Sequence, residues 1–292
     1  MKRVLITGNK SFIGGELEKR LNEFPGSYQV GRISLRGDDW KKADLSSYDV
    51  AVDVAAIVHK RYDNVNEDEY YRVNTYLAEE FAAYCKKQGV KHFIYMSSSA
   101  VYGDADKASK TKVIEKDTPL DPVTVYGKSK MLAEEKLHAL EGDDFYVSIV
   151  RSPTVYGGGA KGAFHTISKY AKFLGVFSDA AVKRSVIYIK NLAECLRLII
   201  DRDFGGTYFP QDPYPVSLQD FLVQVRAVKG TGTSLTGLFT PVIRFANKLN
   251  IMRKIFGGVV YAPELSEEPG RYRIYTFEEA LDNIRAEEQD QK

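Results

Sequence analysis

The chain has 292 residues, and its 44% hydrophobic content is sufficient for a sizeable core in one large domain or two closely packed ones. With 41 basic and 39 acidic residues, the formal charge of +2 gives no overall electrostatic basis for binding nucleic acid. The two cysteines, Cys85 and Cys195, lie outside any metal-binding motif, so we expect free thiols and no metal site. We expect no signal peptide and no spanning helix, and therefore a cytoplasmic protein.

Short apolar segments alternate with longer periodic ones through the first half of the chain. Apolar runs predict strands, and apolar residues at helical spacing predict helices. The predicted strands are 2–7, 28–35, 49–56, 92–96 and 145–150, and the predicted helices are 13–24, 67–88, 124–140 and 191–201. This alternation predicts an α/β fold of the Rossmann type, a doubly wound parallel sheet covered by helices.

The regular alternation weakens after the three glycines at 157–159. We therefore predict a Rossmann domain formed by residues 1–156 plus about 184–203. A smaller, mixed substrate-binding region is predicted from residues 157–183 plus 204–292. Within it, residues 235–256 mix large apolar side chains with four basic ones. We favour a helix that covers the substrate pocket or an oligomer contact there, and a weak membrane-surface contact is the second interpretation.

The loop ITGNKSFIGG, residues 6–15, follows the first predicted strand and has the composition of a phosphate-binding turn. Gly8 permits a tight turn, Gly14 lets the helix pack closely on the sheet, and the N–H groups at a helix start suit a pyrophosphate. Ser11 stands where such loops usually carry a glycine, and its hydroxyl is expected either to contact phosphate or to cap the helix. Taken alone, the loop also fits an ordinary strand-to-helix turn.

The segment Tyr126-Gly127-Lys128-Ser129-Lys130 lies at the start of a predicted helix. Residues four apart share a helix face, so we expect the Lys130 ammonium to lower the pKa of the Tyr126 phenol from about 10. A phenol so placed is a usable proton donor or acceptor. A solvated pair on a helix surface is the alternative interpretation.

Three serines, residues 97–99, follow the predicted strand 92–96. Ligands of open α/β sheets bind at the carboxyl ends of the strands, so these hydroxyls are placed to polarise a substrate oxygen. A polar turn without catalytic function is the alternative.

Together, ITGNKSFIGG, FIYMSSSAVYG, YGKSK and IVRSPTVYG resemble the extended short-chain dehydrogenase/reductases of the NAD-dependent epimerase/dehydratase family. The resemblance is to the nucleotide-sugar 4-epimerases and 4-ketoreductases, and it extends from residue 4 to about residue 201. It implies that Tyr126 is the catalytic acid or base, that Lys130 holds the nicotinamide ribose, and that Ser98 is the third catalytic residue. Ser99 is the near alternative to Ser98.

The resemblance also implies the ligand contacts and the assembly. The cofactor-binding residues would be Gly8, Lys10, Ser11, Phe12, Ile13, Gly14, Asp44, Leu45, Ala55 and Ala56 together with Tyr126 and Lys130. Ser99, Thr154, Lys161 and Arg184 would bind the substrate, with Arg184 on its diphosphate. Asn74 matches an asparagine that holds the central helix to the sheet. A homodimer through the helices predicted at 67–88 and 124–140 is implied, although their apolar faces also fit an intramolecular core.

The cofactor preference depends on the second predicted strand. A carboxylate about 20 residues beyond the loop would bind the ribose of NAD, whereas an arginine accommodates the 2′-phosphate of NADP. Residues 30–36, VGRISLR, contain Arg32 and Arg36 and no acid. We therefore favour NADP(H) over NAD(H), and solvated arginines are the alternative.

An enzyme that consumes reducing equivalents typically uses NADPH, so we favour a 4-ketoreductase acting on a nucleotide (UDP) sugar for surface polysaccharides. The alternative is a UDP-glucose 4-epimerase-like enzyme, which retains its cofactor. A non-catalytic NAD(P)-sensing or scaffold protein is disfavoured because Ser98, Tyr126 and Lys130 are all present. A 4,6-dehydratase is disfavoured because Ser99 and Ala100 stand where that reaction needs an acid pair.

Overall fold

A six-stranded parallel sheet forms the centre of the molecule. The computed structural model describes residues 1–58, 66–103, 111–159, 182–217, 220 and 258–290. In spatial order, the strands are β10 (Gly206–Tyr208), β6 (Tyr146–Ser152), β4 (His92–Ser98), β3 (Val50–Asp53), β1 (Lys2–Thr7) and β2 (Tyr28–Ile33). The chain runs from β1 to β2 on one side and then crosses to β3 on the other. The carboxyl ends of β1 and β3 therefore form the switch point at which ligands bind in such sheets, and the predicted α/β fold is confirmed.

Helices cover both faces of this sheet. They are α1 (Phe12–Asn22), α2 (Glu67–Tyr71), α3 (Leu77–Lys87), α4 (Val125–His138), α5 (Ile189–Ile200) and α6 (Phe277–Asp290). Short 3₁₀ helices span Asp39–Lys42, Ser99–Tyr102 and Pro263–Ser266. One apolar core joins the sheet to α1, α5 and α6, and a second joins it to α3 and α4. The inner strands β3 and β4 are buried on both faces, which explains why their sequences are largely apolar.

The helix predicted over residues 67–88 contains an interruption. A π-helical turn, Arg72–Tyr76, separates α2 from α3. Such turns insert one extra residue into a helix and are frequent at functional sites. The spacing of apolar residues did not reveal this turn, which places Asn74 in the interior of the protein.

Among the described residues, three two-stranded units lie outside the central sheet. They pair β7 (Thr154–Tyr156) with β9 (Val186–Tyr188), β5 (Thr111–Ile114) with β12 (Gly258–Tyr261), and β8 (Lys183–Arg184) with β11 (Val216–Ser217). The predicted end of the Rossmann part at about residue 203 is too early, because Gly206–Tyr208 pairs with β6 as the edge strand of the sheet.

Cys85 and Cys195 are free and buried, and burial raises the pKa of both thiols. No helix in the described ranges is long and apolar enough to cross a membrane. The amphipathic segment 235–256 lies outside the described residues.

Candidate active site

Ser98 and Tyr126 meet where the end of β4 faces the start of α4. Ser98 is the last residue of the strand, Tyr126 lies in the first helical turn, and a hydrogen bond joins their side chains. The approach is close because residue 127 is glycine: a β-carbon there would overlap the carbonyl oxygen of Ala100. Thr124 caps the helix by accepting a 3.0 Å hydrogen bond from the Gly127 amide. Thr124 thus fixes the start of the helix, and Gly127 allows its close approach to the turn that carries the serines.

The three adjacent serines have different partners. Ser97 is buried and donates to the Glu134 carboxylate, whereas Ser99 has a side-chain hydrogen bond with Tyr261. Ser98, besides its bond to Tyr126, accepts a 3.2 Å hydrogen bond from the Ala100 amide. The structure therefore brings Ser98 to the tyrosine and directs its two neighbours elsewhere.

The ionisation of Tyr126 differs from expectation. Burial raises the pKa of its phenol to about 12, and the hydrogen bond with Ser98 opposes this change. The predicted lowering by Lys130 is wrong for this structure, because desolvation disfavours the phenolate and the ammonium has other partners. The Lys130 Nζ lies 3.0 Å from the Tyr95 hydroxyl and 2.7 Å from the Met96 carbonyl oxygen. Tyr126 is consequently a protonated phenol at neutral pH.

Lys130 is itself perturbed. Its side chain is only 1% exposed. Burial lowers the pKa of the ammonium to about 8, and the nearby Asp53 and Glu134 carboxyls oppose this change. A lysine in this state changes its charge near neutrality, unlike one at the surface.

Asn74 anchors the π-helical turn to two other elements. Its Oδ1 accepts a 2.8 Å hydrogen bond from the Ile57 amide, and its Nδ2 donates to the Ile57 carbonyl and to the Ser129 hydroxyl. Ile57 follows β3 and Ser129 belongs to α4, so one amide side chain ties the central helix to both sides of the site. This arrangement agrees with the role that the resemblance implied.

The loop after β1 forms a tight turn and a capped helix. Gly8 has a φ of +71°, which favours glycine, and a β-carbon on Gly14 would lie 2.7 Å from an Arg32 nitrogen. Ser11 is the N-cap of α1 and accepts a 3.2 Å hydrogen bond from the Gly14 amide. Of the two expected roles, the structure shows the capping role. The amides of the neighbouring first-turn residues, Phe12 and Ile13, have no acceptor within a helix and are available to a phosphate.

Arg32 contributes to this loop from the end of β2. Its Nη2 donates a 2.7 Å hydrogen bond to the Gly8 carbonyl oxygen, and its side chain is 18% exposed. Within the described part of the chain, Nη1 is buried without a hydrogen-bond partner, although the Glu18 carboxylate lies 3.9 Å away. Arg36 is exposed, as is Lys10. The glycine turn, the free amides and the unsatisfied guanidinium nitrogen fit a nicotinamide dinucleotide.

Asp53 is a buried residue of the site that the sequence did not single out. Thr7 donates a 2.6 Å hydrogen bond to its carboxyl, and the Thr7 hydroxyl accepts from the amides of Val54 and Ala55. Burial raises the pKa of this carboxyl. These hydrogen bonds join the carboxyl ends of β1 and β3. An acidic residue within the otherwise apolar segment 50–56 was the available signal.

The other predicted ligand contacts lie around the site at different depths. Ala55 is half-buried and Ala56 exposed. Asp44 is exposed and its pKa is lowered by hydrogen bonds from Ser46, whereas the Leu45 side chain is buried in the core. Thr154 in β7 and Arg184 in β8 are both half-buried, and Lys161 lies outside the described residues. Among the described residues, no group of side chains is arranged to hold a metal ion.

A buried ion pair lies behind the serines. Arg151, at the end of β6, binds the Glu134 carboxylate with a closest distance of 2.7 Å and donates a 2.6 Å hydrogen bond to the Tyr102 hydroxyl. Glu134 is four residues beyond Lys130 in α4, so the spacing placed it on the same helix face, but nothing in the sequence showed that this face is buried.

The parallel sheet, the glycine turn and the paired Ser98 and Tyr126 define a Rossmann-type enzyme of the short-chain dehydrogenase/reductase class. The family model described as the NAD dependent epimerase/dehydratase family matches residues 4–208. The chain belongs to this family.

Similar proteins carry several related functions. The chain is 28% identical to the spore coat polysaccharide biosynthesis protein SpsK of Bacillus subtilis, over 85% of this chain and 86% of that protein. It is 31% identical to a UDP-glucose 4-epimerase of Vibrio cholerae, over 68% and 67% of the two chains. A dTDP-4-dehydrorhamnose reductase from Bacillus anthracis, solved in complex with NADP, shares the fold with a TM-score of 0.66. Its sequence identity is 21%, over 80% of this chain and 83% of that chain.

Proposed function

We propose that the protein carries out NAD(P)-dependent redox chemistry at C4 of a nucleotide sugar, with UDP as the nucleotide, and acts as a 4-ketoreductase. The observation that carries the proposal is the hydrogen bond between Ser98 and Tyr126, at the carboxyl ends of the sheet that also carries the glycine turn. The similarity of the chain to SpsK supports a role for the protein in the synthesis of surface polysaccharide precursors.

The chain's own groups perform the proton transfer. Tyr126, with a pKa of about 12, holds its proton at neutral pH and donates it to the C4 oxygen of a keto sugar. Ser98 polarises the same oxygen, and Lys130 binds the nicotinamide ribose. A bound nicotinamide cofactor supplies the hydride. A protonated Tyr126 suits reduction, in which the tyrosine acts as an acid.

A 4-epimerase is the second candidate, and the similarity to the Vibrio cholerae UDP-glucose 4-epimerase supports it. The two activities differ in cofactor use, since an epimerase returns the hydride to the same substrate. Incubation with UDP-hexoses and with nucleotide-linked 4-keto-6-deoxy hexosamines, while NADPH absorbance is followed, separates them. Consumption of NADPH with a keto sugar supports the reductase, whereas interconversion of hexoses without consumption supports the epimerase.

Tyr126→Phe tests the catalytic assignment and the non-catalytic alternative. The variant keeps the ring and loses the transferable proton, so we expect turnover to fall at least a hundredfold. Tyr208→Phe, in the edge strand β10, is the matched control and is expected to retain activity. Equal activity of both variants contradicts the role of Tyr126, and a wild-type protein that binds NAD(P)H without turning over any nucleotide sugar supports a sensing or scaffold role.

NADP(H) is the proposed cofactor, with NAD(H) as the alternative that the family description favours. The support is Arg32, whose buried Nη1 lacks a hydrogen-bond partner among the described residues, and the NADP complex of the Bacillus anthracis reductase. Arg32→Ala should weaken NADPH binding at least tenfold more than NADH binding, because only NADPH has the 2′-phosphate. Equal losses of affinity for the two cofactors would show that Arg32 only supports the structure of the loop. Arg36→Ala tests in the same way whether Arg36 contributes to NADPH binding.

We also propose a cytoplasmic homodimer that assembles through the helices predicted at 67–88 and 124–140, with the substrate region built from residues 157–183 and from the chain that follows β10. In support, Tyr76 at the α3 boundary is half exposed, at 51%. Sedimentation equilibrium tests the dimer. Co-sedimentation with liposomes tests the weak membrane contact proposed for residues 235–256.

A further inference from the structure

Tyr95 lies beneath the proposed site and contacts its lysine. The side chain belongs to β4, three residues before Ser98, and is 0% exposed. Its hydroxyl oxygen is 3.0 Å from the Lys130 Nζ, and its ring centroid is 4.2 Å from the same nitrogen. Neither the reaction chemistry nor the sequence motifs require a tyrosine here, so its contact with Lys130 needs its own explanation.

The Tyr95 hydroxyl donates one hydrogen bond and accepts another. A phenol has one proton, and Tyr95 donates it in a 2.6 Å hydrogen bond to the carbonyl oxygen of Asn74. The Tyr95 oxygen must therefore accept from Lys130, and it can do so from the charged ammonium. Hydrogen bonds with Ile57 and Ser129 hold Asn74 in place. The series of hydrogen bonds from Lys130 through Tyr95 therefore ends on a fixed carbonyl oxygen.

Two of the three N–H donors of the Lys130 ammonium have acceptors within the protein. Of its three N–H groups, one meets Tyr95 and one meets the Met96 carbonyl at 2.7 Å. Within the described residues, these contacts leave a single donor for a ligand. Both acceptors belong to β4, so the strand that ends in Ser98 also sets the position of the lysine.

We propose that Tyr95 is a positioning residue for Lys130: its hydroxyl, oriented by Asn74, holds the ammonium charged and directs the remaining N–H to the cofactor ribose. This inference rests on the proposed role of Lys130 in cofactor binding. Tyr95 acts through Lys130 and touches neither the substrate nor the cofactor.

The surrounding charges determine what removal of the hydroxyl does. The carboxyls of Asp53 from β3 and Glu134 from α4 both favour the charged ammonium, and the Tyr126 phenol lies close to Tyr95. Thr7 and Arg151 already bind the two carboxyls. None of these groups is positioned by Tyr95, so Tyr95→Phe removes one acceptor from the charged lysine and leaves the burial that disfavours the charge. The pKa of Lys130 should then fall further below its present value of about 8.

The test is the pH dependence of NADPH and NADH binding, measured by the fluorescence of the reduced cofactor between pH 6 and 9. For the wild-type protein, binding should weaken as the pH rises through about 8, where Lys130 loses its charge. In Tyr95→Phe this midpoint should lie about one pH unit lower, since one hydrogen bond to a charged group is lost. Relative to the wild type, the affinity of Tyr95→Phe for the reduced cofactor should fall about fivefold at pH 8 and change less than twofold at pH 6.

Four further proteins provide the controls. Tyr208→Phe makes the same chemical change in β10 and should keep the wild-type midpoint. Lys130→Met, alone and combined with Tyr95→Phe, should abolish the change in cofactor affinity near pH 8. If Tyr95→Phe does not fold, 4-fluorophenylalanine at position 95 fills the space of the hydroxyl and serves instead.

An unchanged midpoint in Tyr95→Phe, or an equal loss of affinity at every pH, overturns the role of Tyr95. Unchanged binding by Lys130→Met overturns the proposed role of Lys130 instead. Because the readout is cofactor binding, neither outcome depends on which nucleotide sugar is the substrate.

Discussion

A β-carbon on Gly127 would overlap the carbonyl oxygen of Ala100. This contact sets the distance between α4 and the turn that follows β4, and the hydrogen bond between Ser98 and Tyr126 depends on that distance. The glycine of the YGKSK segment therefore contributes to the geometry of the site.

Gly127→Ala should separate the two elements. We expect a loss of about 1–3 kcal/mol in the free energy of unfolding, from overpacking, and at least a tenfold fall in turnover. Gly15→Ala in α1 is the matched control, because a β-carbon there meets no atom within 4 Å. That change should be neutral or stabilising by up to about 1 kcal/mol. Similar denaturation curves and similar turnover for both variants would contradict the packing argument.

Ser11 should affect the helix more than the cofactor. Its hydroxyl caps α1, so Ser11→Ala should cost about 1 kcal/mol of stability and Ser11→Gly only a few tenths. Urea denaturation measures both changes. NADPH affinity should be unchanged in Ser11→Gly, whereas a large loss of affinity would show that the hydroxyl also binds phosphate.

The Glu134 carboxylate stabilises the protein through a buried pair. Its side chain is 3% exposed, and the charge of Arg151 would remain buried if the carboxylate were removed. Glu134→Ala should therefore destabilise the protein by about 3–5 kcal/mol. Glu79→Ala breaks a partly exposed pair with Lys136 and should cost about 0–1 kcal/mol. Thermal unfolding of the two variants compares them, and equal costs would contradict the importance of burial.

His92 should make the protein sensitive to acid. Burial lowers the pKa of its imidazole to about 3, whereas an unfolded histidine titrates near 6.5. The unfolded chain therefore binds a proton that the folded protein does not, so stability is complete above pH 6.5 and falls as the pH decreases from there towards 3. At pH 5 the loss due to this residue is about 2 kcal/mol.

Urea denaturation at pH 7 and pH 5 measures this effect. His92→Gln cannot gain the proton and should lose about 2 kcal/mol less than the wild type over this interval. His138→Gln, at an exposed position, should behave as the wild type does. An identical pH dependence in His92→Gln would show that other groups cause the acid sensitivity.

The sequence by itself determined the order of the central-sheet strands from β1 to β6 and of the helices between them, because apolar periodicity records which positions are buried. It also placed Tyr126 and Lys130 on one helix face and Gly8 at a tight turn, since these are properties of local backbone geometry. The π-helical turn at Asn74 was not evident, because periodicity over a long helix averages over one inserted residue.

Only the tertiary structure decided the chemical state of the site. Tyr126 and Lys130 are adjacent on their helix, yet the lysine binds Tyr95 and Met96 of another element and the phenol binds Ser98. Their pKa values depend on desolvation and on Asp53 and Glu134, which distant segments bring together. Spacing along a helix predicts which side chains are neighbours, whereas burial and hydrogen-bond partners depend on everything packed against that helix, so the expected lowering of the tyrosine pKa was wrong.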